Sequence, residues 1–341
     1  MTFNLSILRI RKPSFLGVLT FILLESPTLM LYYACSVFLI MVRALVTGGC
    51  GFIGSHVVEK LILEGFQVLV IDNLSTGRAE NIHGLKPIDL ITKDLNATGK
   101  DIIKFNPDYI FHLAAWPRIQ PSFADPIEHD IANVHQTISL LQAARECKVK
   151  GFIYSSSSSC YGDATYTPTD ENHPINPLNP YAIQKYAAER YVNVLGNKYG
   201  FPTVSLRYFN AYGTRSYNPD NIYNAYSSVI GIFNHLKATN QPLTITGDGE
   251  QRRDFVHATD IASANLFVSS RIDNLNGSVF NVGYGATHSI NEVASIFGGP
   301  RIYTPMRCGE ATITHADISK IRSYGWQPTI SLEYAIQHNL V

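Results

Sequence analysis

Cysteine is scarce in this sequence: there are five among 341 residues, and no two of them form a CxxC pair. They are Cys35, Cys50, Cys147, Cys160 and Cys308. An odd and scattered set of this kind argues against a disulfide framework and against a structural metal site. The sequence therefore predicts a cytoplasmic protein, kept in a reducing compartment, that binds no metal.

An excess of either charge is also absent, because 27 Lys and Arg residues balance 27 Asp and Glu residues. Without a broad basic face, non-specific binding to nucleic acid is not expected. We find no internal repeat, and the one low-complexity stretch is a run of five serines at 155–159. The length allows one large domain or two modest ones, with an ample core.

Apolar runs long enough to cross a membrane are missing as well. The two longest near the front of the chain cover residues 15–24 and 29–42, which is ten and fourteen residues. As helices they would reach about 15 and 21 Å, whereas the hydrocarbon core of a bilayer is about 30 Å thick. The sequence thus predicts that the protein has no membrane partner.

Residues 1–40 form a hydrophobic extension that has three possible explanations. Basic residues at positions 9, 11 and 12 precede the first apolar run, as at the opening of a cleaved export signal. A short membrane-associating extension is the second explanation. We favour the third, a start assigned too far upstream, because Met41 directly precedes the first strand of the predicted fold.

The chain from Val42 to Asp72 reads as strand, glycine turn, helix and strand. Gly48, Gly51 and Gly54 follow the first apolar strand at three-residue spacing. Glycines allow a sharp turn and a close approach of the backbone to a ligand, and the N–H groups at the start of the next helix suit a pyrophosphate. Asp72 at the end of the second strand would accept the ribose hydroxyls of NAD and repel the 2'-phosphate of NADP. A glycine turn in an unrelated α/β protein is the alternative.

Strands and helices continue to alternate beyond Asp72. Further strands are predicted before Asp94, at 109–113 and at 152–155, and apolar residues at helical spacing predict one long crossover helix over 127–144. This alternation predicts an α/β fold with a doubly wound parallel sheet, whose ligands lie at the carboxyl ends of the strands. Ala114 and Ala115, at one such end, would leave room for a flat nicotinamide ribose.

The segment from Ser155 to Lys185 carries the candidate chemistry. Pro180 starts a helix and places Tyr181 and Lys185 one turn apart on the same face. The serine run at the end of the preceding strand would face that helix. A flexible serine linker and an ordinary surface contact between tyrosine and lysine are the alternatives.

Taken together, the motifs resemble those of the extended short-chain dehydrogenases/reductases, and within that family they are most similar to the UDP-sugar 4-epimerases. The matching pieces are TGGCGFIGSH at 47–56, DNLSTG at 72–77, HLAA at 112–115, YSSSSSCYG at 154–162, PYAIQK at 180–185, RYFNAYG at 207–213, GDGEQRRDFVH at 247–257, RCGE at 307–310 and THAD at 314–317. The match covers the chain from about Met41 onward. The sequence departs from the family at Trp116, where a polar residue is commoner. It also departs over 133–137, where the family's version has a glycine before the threonine.

The resemblance implies a role for individual residues. Tyr181 is expected to be the catalytic base, Lys185 its partner and Ser157 the hydroxyl that contacts the sugar. Residues expected to contact NAD are Gly48, Gly51, Phe52, Ile53, Gly54, Asp72, Asn73, Asp94, Leu95, Leu113, Ala114, Ala115, Tyr181, Lys185 and Tyr208. The sugar is expected to be linked to UDP, and the residues expected to contact this nucleotide sugar are Ser157, Ser158, Asn210, Arg253, Arg307 and Thr314.

The resemblance also implies the domain organisation and the assembly. Residues 41–207 are expected to form the NAD-binding Rossmann domain, joined by a returning strand near 279–283. Residues 208–341 would form a smaller, interleaved substrate lobe. A homodimer is expected through a helix bundle that includes 124–146 and 181–198.

Two other functions compete with a 4-epimerase. A nucleotide-sugar 4,6-dehydratase shares the first oxidation, but such enzymes resemble one another in an Asp-Glu pair at the positions that are Ser159 and Cys160 here. A non-catalytic NAD-binding scaffold is the other, although Tyr181 and Lys185 are both present. For the substrate we predict that Thr314, smaller than an aromatic residue, leaves room for an N-acetyl group at C2 of the sugar.

Overall fold

The protein is described by a computed structural model over residues 41–217, 228–306 and 309–341. The predictions for residues 1–40 and for Arg307 lie outside the described residues. The account that follows concerns the unit Val42–Val341.

A parallel sheet of seven strands organises the larger part of the described chain. Its strands are β1 (Arg43–Thr47), β2 (Gln67–Asp72), β3 (Ile88–Thr92), β4 (Tyr109–His112), β5 (Gly151–Ser157), β6 (Thr203–Tyr208) and β10 (Ser278–Val282). They lie in the order β10-β6-β5-β4-β1-β2-β3. From β1 the sheet extends through β2 and β3 on one side and through β4, β5 and β6 on the other, so the fold is doubly wound. The predicted fold class is confirmed.

Helices cover both faces of this sheet. In chain order the helices are α1 (Phe52–Leu63), α2 (Gly99–Phe105), α3 (Ile119–Ala124), α4 (Pro126–Asp130), α5 (Gln136–Cys147), α6 (Pro180–Tyr199), α7 (Val229–Ala238), α8 (Ala258–Ser269), α9 (Ile290–Phe297), α10 (Ser319–Ser323) and α11 (Leu332–Gln337). Side chains alternate along β2, so Val68 and Val70 pack in one apolar core while Leu69 and Ile71 pack in the other. Helices α1 and α8 pack together and contribute to the first of these cores. Helices α2, α5 and α6 contribute to the second.

The other strands of the described chain do not belong to the large sheet. These strands are β7 (Asn210–Tyr212), β8 (Leu243–Thr246), β9 (Arg252–His257), β11 (Thr287–Ser289), β12 (Arg301–Thr304) and β13 (Ile313–Thr314). With α7, α9 and α11 they enclose a third core that includes Phe233 and Phe297. Trp326, in contrast, packs in the first core of the large sheet. The lobe boundary near residue 208 remains a prediction.

One predicted segment differs from the structure. The long crossover helix over 127–144 is divided into α4, a π-helical turn at Ile131–His135, and α5. The side chain of Asn133 in this turn makes hydrogen bonds with the backbone of Trp116. Single π turns inside α-helices are frequent at functional sites. Strand β7, which follows Tyr208 closely, pairs with β9.

A buried ion pair connects α6 with the sheet. Arg207 on β6 binds Glu189 on α6 through two bonds, Nη2 to Oε1 at 2.6 Å and Nε to Oε2 at 3.0 Å. Ser156 on β5 donates to the same carboxylate at 2.7 Å, and Arg207 also donates to the Tyr161 hydroxyl at 2.8 Å. Tyr161 in turn donates to Asn281 on β10 at 2.7 Å. Both charges are thus paired and hydrogen-bonded, as burial requires.

Replacing Glu189 by Gln should destabilise the fold strongly, because it leaves the Arg207 cation buried without its counter-ion. We expect the free energy of unfolding to fall by about 3–5 kcal/mol in urea titrations. Glu146→Gln is the matched control, since Glu146 pairs with Arg145 on the exposed surface and should change stability little. Equal small losses in both variants would contradict the importance of the buried pair.

Candidate active site

The carboxyl ends of the strands open into a cavity of about 1630 Å³. Every predicted site residue that the structure describes lines it, at the cofactor side and at the substrate side alike. Arg307 lies outside the described residues and has no place in this geometry. Sequence reasoning missed several other lining residues, among them Arg118, Gln251 and Phe255. The one available signal was the position of Arg118, three residues beyond the HLAA motif.

The glycine loop packs too tightly for side chains. A Cβ atom at Gly54 would lie 2.0 Å from the carbonyl oxygen of Gly48, and one at Gly48 would lie 2.7 Å from the backbone nitrogen of Ala114. Gly48 also has a φ of +70°, which favours glycine. Helix α1 then begins after Gly51 with no side-chain cap on its first N–H groups. This uncapped helix start lines the cavity and fits the pyrophosphate of a dinucleotide.

Asp72 ties the end of β2 to the glycine loop. Its carboxylate accepts from the backbone N–H of Cys50 at 2.9 Å and of Leu74 at 2.8 Å. The side chain is 8% exposed, and this burial raises the pKa of the carboxyl group, against the effect of the two backbone bonds. Each oxygen keeps a second lone pair, so Asp72 can still accept from a ribose hydroxyl.

The start of α6 is built by Asn179 and Pro180. The Asn179 side chain accepts from the N–H of Ala182 at 2.9 Å, and Pro180 occupies the first turn. The backbone N–H of Tyr181 donates to the Ser122 hydroxyl of α3 at 3.1 Å. Burial raises the pKa of Tyr181, while hydrogen bonding with Ser157 and the positive charge of Arg118 lower it.

Lys185 lies one turn further along α6 and points toward the ring of Tyr154. Its ammonium group is 4.5 Å from the centre of that ring, and the side chain is only 4% exposed. Burial lowers the pKa of Lys185 to about 7, although the carboxylate of Glu189 acts in the opposite direction. Burial therefore acts against the charged form of Lys185, and Glu189 acts in its favour.

The serine run serves two purposes. Ser155 and Ser156 are buried, the first 2.9 Å from the Tyr208 hydroxyl and the second bonded to Glu189. Ser157 ends β5 and lines the cavity beside Ser158. Because the run continues a buried strand, a flexible linker is excluded.

Three residues predicted to contact the substrate, Asn210, Arg253 and Thr314, lie close together in the lining of the cavity. The side-chain amide of Asn210 donates to the Thr314 hydroxyl at 2.8 Å and to the carbonyl of Asp254 at 3.1 Å. Thr314 on β13 is the register partner of Arg253 on β9. Arg253 lies 3.6 Å from the carboxylate of Glu310. A cation, an amide and a hydroxyl at one place suit a polar, anionic ligand.

A comparison with known protein families decides the relationship. The model of the NAD dependent epimerase/dehydratase family matches residues 44–283. The chain belongs to that family. The resemblance drawn from the motifs is confirmed, and NAD is the cofactor of the epimerase/dehydratase family.

Individual members of the epimerase/dehydratase family are similar over most of the chain. A putative UDP-glucose 4-epimerase of Methanocaldococcus jannaschii is 38% identical over 305 residues, which cover 86% of this chain and 95% of that protein. The structure of a UDP-N-acetylglucosamine 4-epimerase from Methanobrevibacter ruminantium in complex with UDP-N-acetylmuramic acid has a TM-score of 0.79 and 33% identity, covering 88% of this chain and 96% of its own. The Thermus thermophilus UDP-glucose 4-epimerase complex with NAD has a TM-score of 0.78 and 32% identity, covering 86% and 96%.

Within 41–217, 228–306 and 309–341, no helix combines the length and the apolar character needed to cross a membrane. The same ranges contain no cluster of three or more His, Cys, Asp or Glu side chains arranged to hold a metal ion.

Proposed function

We propose that this protein is an NAD-dependent nucleotide-sugar 4-epimerase. It inverts C4 of a hexose linked to UDP, either a plain hexose or an N-acetylhexosamine, without net oxidation. One observation carries the proposal: the glycine loop, Tyr181 with Ser157, and Arg253 line a single continuous cavity. A cofactor, a base and a nucleotide sugar can therefore meet there. The similarity to UDP-sugar 4-epimerases supports the same reaction.

The cofactor end of the cavity fits NAD. We assign the pyrophosphate to the glycine loop and the start of α1, and the adenosine ribose to Asp72. Ala114 and Ala115, which follow β4 and line the cavity, would border the nicotinamide ribose, because their side chains are small. Bound there, NAD would supply a reversible acceptor for the hydride of C4.

The chain's own residues handle the proton. Tyr181, as a phenolate, takes the proton of the sugar 4-hydroxyl, and the Ser157 hydroxyl bonds to the same sugar oxygen. The proton returns from Tyr181 to that oxygen once the sugar presents its other face. The remaining substrate contacts that we propose are Ser158, Asn210, Arg253, Thr314 and, outside the described residues, Arg307.

The alternatives have less support. At the two positions where a 4,6-dehydratase would carry an Asp-Glu pair, Ser159 donates to Ser157 at 2.8 Å and Cys160 is buried. Burial raises the pKa of the Cys160 thiol to about 12, so it cannot replace a carboxylate. A non-catalytic scaffold would not need Tyr181 beside a serine and a cation.

We also propose a cytoplasmic homodimer. Helices α4 and α6 carry apolar side chains at the surface, and Ile127, Ile183 and Val194 are 71%, 54% and 55% exposed. A cluster of this kind on neighbouring helices suits a second copy of the chain. The free thiols of Cys50, Cys147 and Cys160 fit a reducing compartment.

Tyr181→Phe tests the reaction. The variant should keep its fold and its NAD, because it loses only one hydroxyl, yet turnover should fall by about 100-fold to 10,000-fold. The assay is the interconversion of a panel of UDP-hexoses and UDP-N-acetylhexosamines with separation of the products. Tyr199→Phe on the same helix, away from the cavity, should retain parental turnover. Parental turnover in Tyr181→Phe would reject the base assignment.

Thr314→Tyr tests the substrate. We expect the parent to interconvert UDP-GlcNAc and UDP-GalNAc at least as well as UDP-glucose and UDP-galactose. The aromatic ring should lower the N-acetyl reaction by at least about tenfold and spare the plain hexoses, because it fills the space for the acetamido group.

Thr314→Val separates this bulk from the hydrogen bond between Thr314 and Asn210, since valine removes the hydroxyl without enlarging the side chain. The valine variant should retain the N-acetyl reaction better than the tyrosine variant. Equal losses on both sugar pairs in Thr314→Tyr would show an effect on folding. That result would refute the proposal that Thr314 leaves room for the N-acetyl group.

Ile183→Asp tests the dimer, because a charge at the centre of the apolar surface opposes its burial in an interface. Sedimentation should give the mass of a dimer for the parent and of a monomer for the variant. Leu63→Asp is the control, since Leu63 is 76% exposed on α1, which lies in the other helical layer. A monomeric parent would refute the proposal.

A further inference from the structure

His112, the last residue of β4, is buried between two threonine hydroxyls. Its Nδ1 lies 2.7 Å from the Thr47 hydroxyl, and its Nε2 lies 2.8 Å from the Thr137 hydroxyl. All three side chains are at most 1% exposed. The proposed reaction does not use His112, although Ala114 and Ala115, which follow it closely, line the cavity. Burial makes an unpaired donor or acceptor costly, so each proton of this group should lie between a donor and an acceptor.

The protons around His112 can be assigned by elimination. The Thr137 hydroxyl donates to the carbonyl oxygen of Asn133 at 2.8 Å, so its oxygen is left to accept from the Nε2–H of His112. The backbone N–H of Ala114 donates to the Thr47 oxygen at 3.2 Å, and Thr47 can send its own proton to Nδ1. In the opposite tautomer the Thr47 oxygen would receive two donors, and its own proton would meet no acceptor among these contacts. The Nε2–H tautomer therefore satisfies every group.

The imidazole ring of His112 is also neutral. A charged ring would donate from both nitrogens, which would again leave the Thr47 proton without an acceptor. The titratable side chains that face the ring are Tyr154 on β5, with 5.7 Å between the ring centres, and Lys185 on α6. Burial lowers the pKa of His112 to about 3, and the positive charge of Lys185 acts in the same direction. The ring should therefore stay neutral over the range of about pH 5 to 8 in which a free histidine titrates.

The same contacts close a ring of hydrogen bonds around the segment that follows β4. Thr47 holds the backbone of Ala114 at one end. The Asn133 side chain holds Trp116 at the other, since it accepts from the backbone N–H at 2.7 Å and donates to the backbone carbonyl at 3.1 Å. His112 joins these two anchors, because one nitrogen bonds to Thr47 and the other bonds to the threonine that donates to Asn133. The short segment is thus fixed at both of its ends.

This segment belongs to the cofactor side of the cavity. Ala114, Ala115 and Trp116 all line the cavity. The segment also packs on the glycine loop, since a Cβ atom at Gly48 would lie 2.7 Å from the backbone nitrogen of Ala114. A shift of the segment would therefore change the space that we assign to the nicotinamide ribose.

We propose that His112, as the neutral Nε2–H tautomer, is a positioning residue for the nicotinamide end of NAD. Because its ring is buried, it acts through its partners: it holds Ala114 through Thr47, and it holds the π turn of Asn133 through Thr137. The inference rests on the proposed function, in which NAD occupies this side of the cavity.

The first test observes the proton on the ring. The protein is labelled with the heavy nitrogen isotope in its histidine rings, and long-range proton–nitrogen correlation spectra distinguish the two tautomers and the charged form. The signals of His112 are those that His112→Asn lacks. They should show the neutral Nε2–H tautomer throughout the range of about pH 5 to 8. A charged ring or the Nδ1–H tautomer in the parent would overturn the proposal.

Two substitutions of similar shape should have different effects on the tautomer. Thr137→Val removes the acceptor of Nε2–H, and a buried donor without a partner is costly. The ring of His112 should then change to the Nδ1–H tautomer and donate to Thr47. Thr47→Val removes the donor to Nδ1 instead, so the Nε2–H tautomer should remain. A parental tautomer in Thr137→Val would contradict the assigned directions of the hydrogen bonds.

The second test compares the affinity for NAD with that for ADP, which lacks the nicotinamide end. Each affinity is measured from the concentration that displaces bound NADH, followed by NADH fluorescence. Thr47→Val should weaken the binding of NAD by about tenfold and spare that of ADP, as substitutions outside a site can alter ligand binding. Thr47→Ser keeps the hydroxyl and should restore the parental ratio of the two affinities. Thr259→Val is the matched control, because Thr259 lies 2.7 Å from Nδ1 of His257 and neither residue is part of the cavity lining.

Parental affinity for NAD in Thr47→Val would overturn the proposal. Equal losses for NAD and ADP would overturn it too, because a general effect on folding produces that result. If Thr47→Val does not fold, the tautomers of the parent and of Thr137→Val still decide. The expected tautomer and NAD selectivity in a protein that interconverts no nucleotide sugar would reject the proposed reaction and uphold the role of His112 in binding NAD.

Discussion

The buried pair of Arg207 and Glu189 is the interaction on which the geometry of the site depends. Glu189 lies four residues beyond Lys185 and eight beyond Tyr181 on α6, so the pair fixes the rotation and the depth of the helix that carries both. Ser156 and Tyr161 complete its hydrogen bonds from the neighbouring strand and turn. Because both charges lose their hydration, neither side can move without leaving the other unpaired.

The same network extends toward the smaller strands. Tyr161 donates to Asn281 on the edge strand β10, and the Asn281 amide donates to the carbonyls of Thr169 and Asp317. Segments far apart in sequence are therefore joined through one chain of buried polar groups. The helix that presents Tyr181 is positioned against the sheet and against the C-terminal region together. Satisfied networks of this kind favour a single arrangement of the core.

The active site then has to reconcile burial with charge. Burial raises the pKa of Tyr181 and lowers that of Lys185, so each shift opposes the ionised form that acid–base chemistry uses. Hydrogen bonding with Ser157 and the positive charge of Arg118 act against the shift in the pKa of Tyr181. Groups whose environments oppose one another in this way are typical of catalytic sites rather than of surface ion pairs.

The sequence by itself determined the doubly wound sheet and the positions at its strand ends. Glycine spacing, alternating apolar runs and Pro180 act locally, and the carboxyl ends of parallel strands must meet at one edge. Tertiary structure alone decided that Asn133, in a π turn, bonds to the backbone of Trp116, that Ser156 belongs to the core while Ser157 lines the cavity, and that Arg118 and Tyr181 line the same cavity. These outcomes depend on partners 17, 33 and 63 residues away, from 133 to 116, from 189 to 156 and from 181 to 118. Neither local propensity nor hydrophobic period carries information about contacts at such separations.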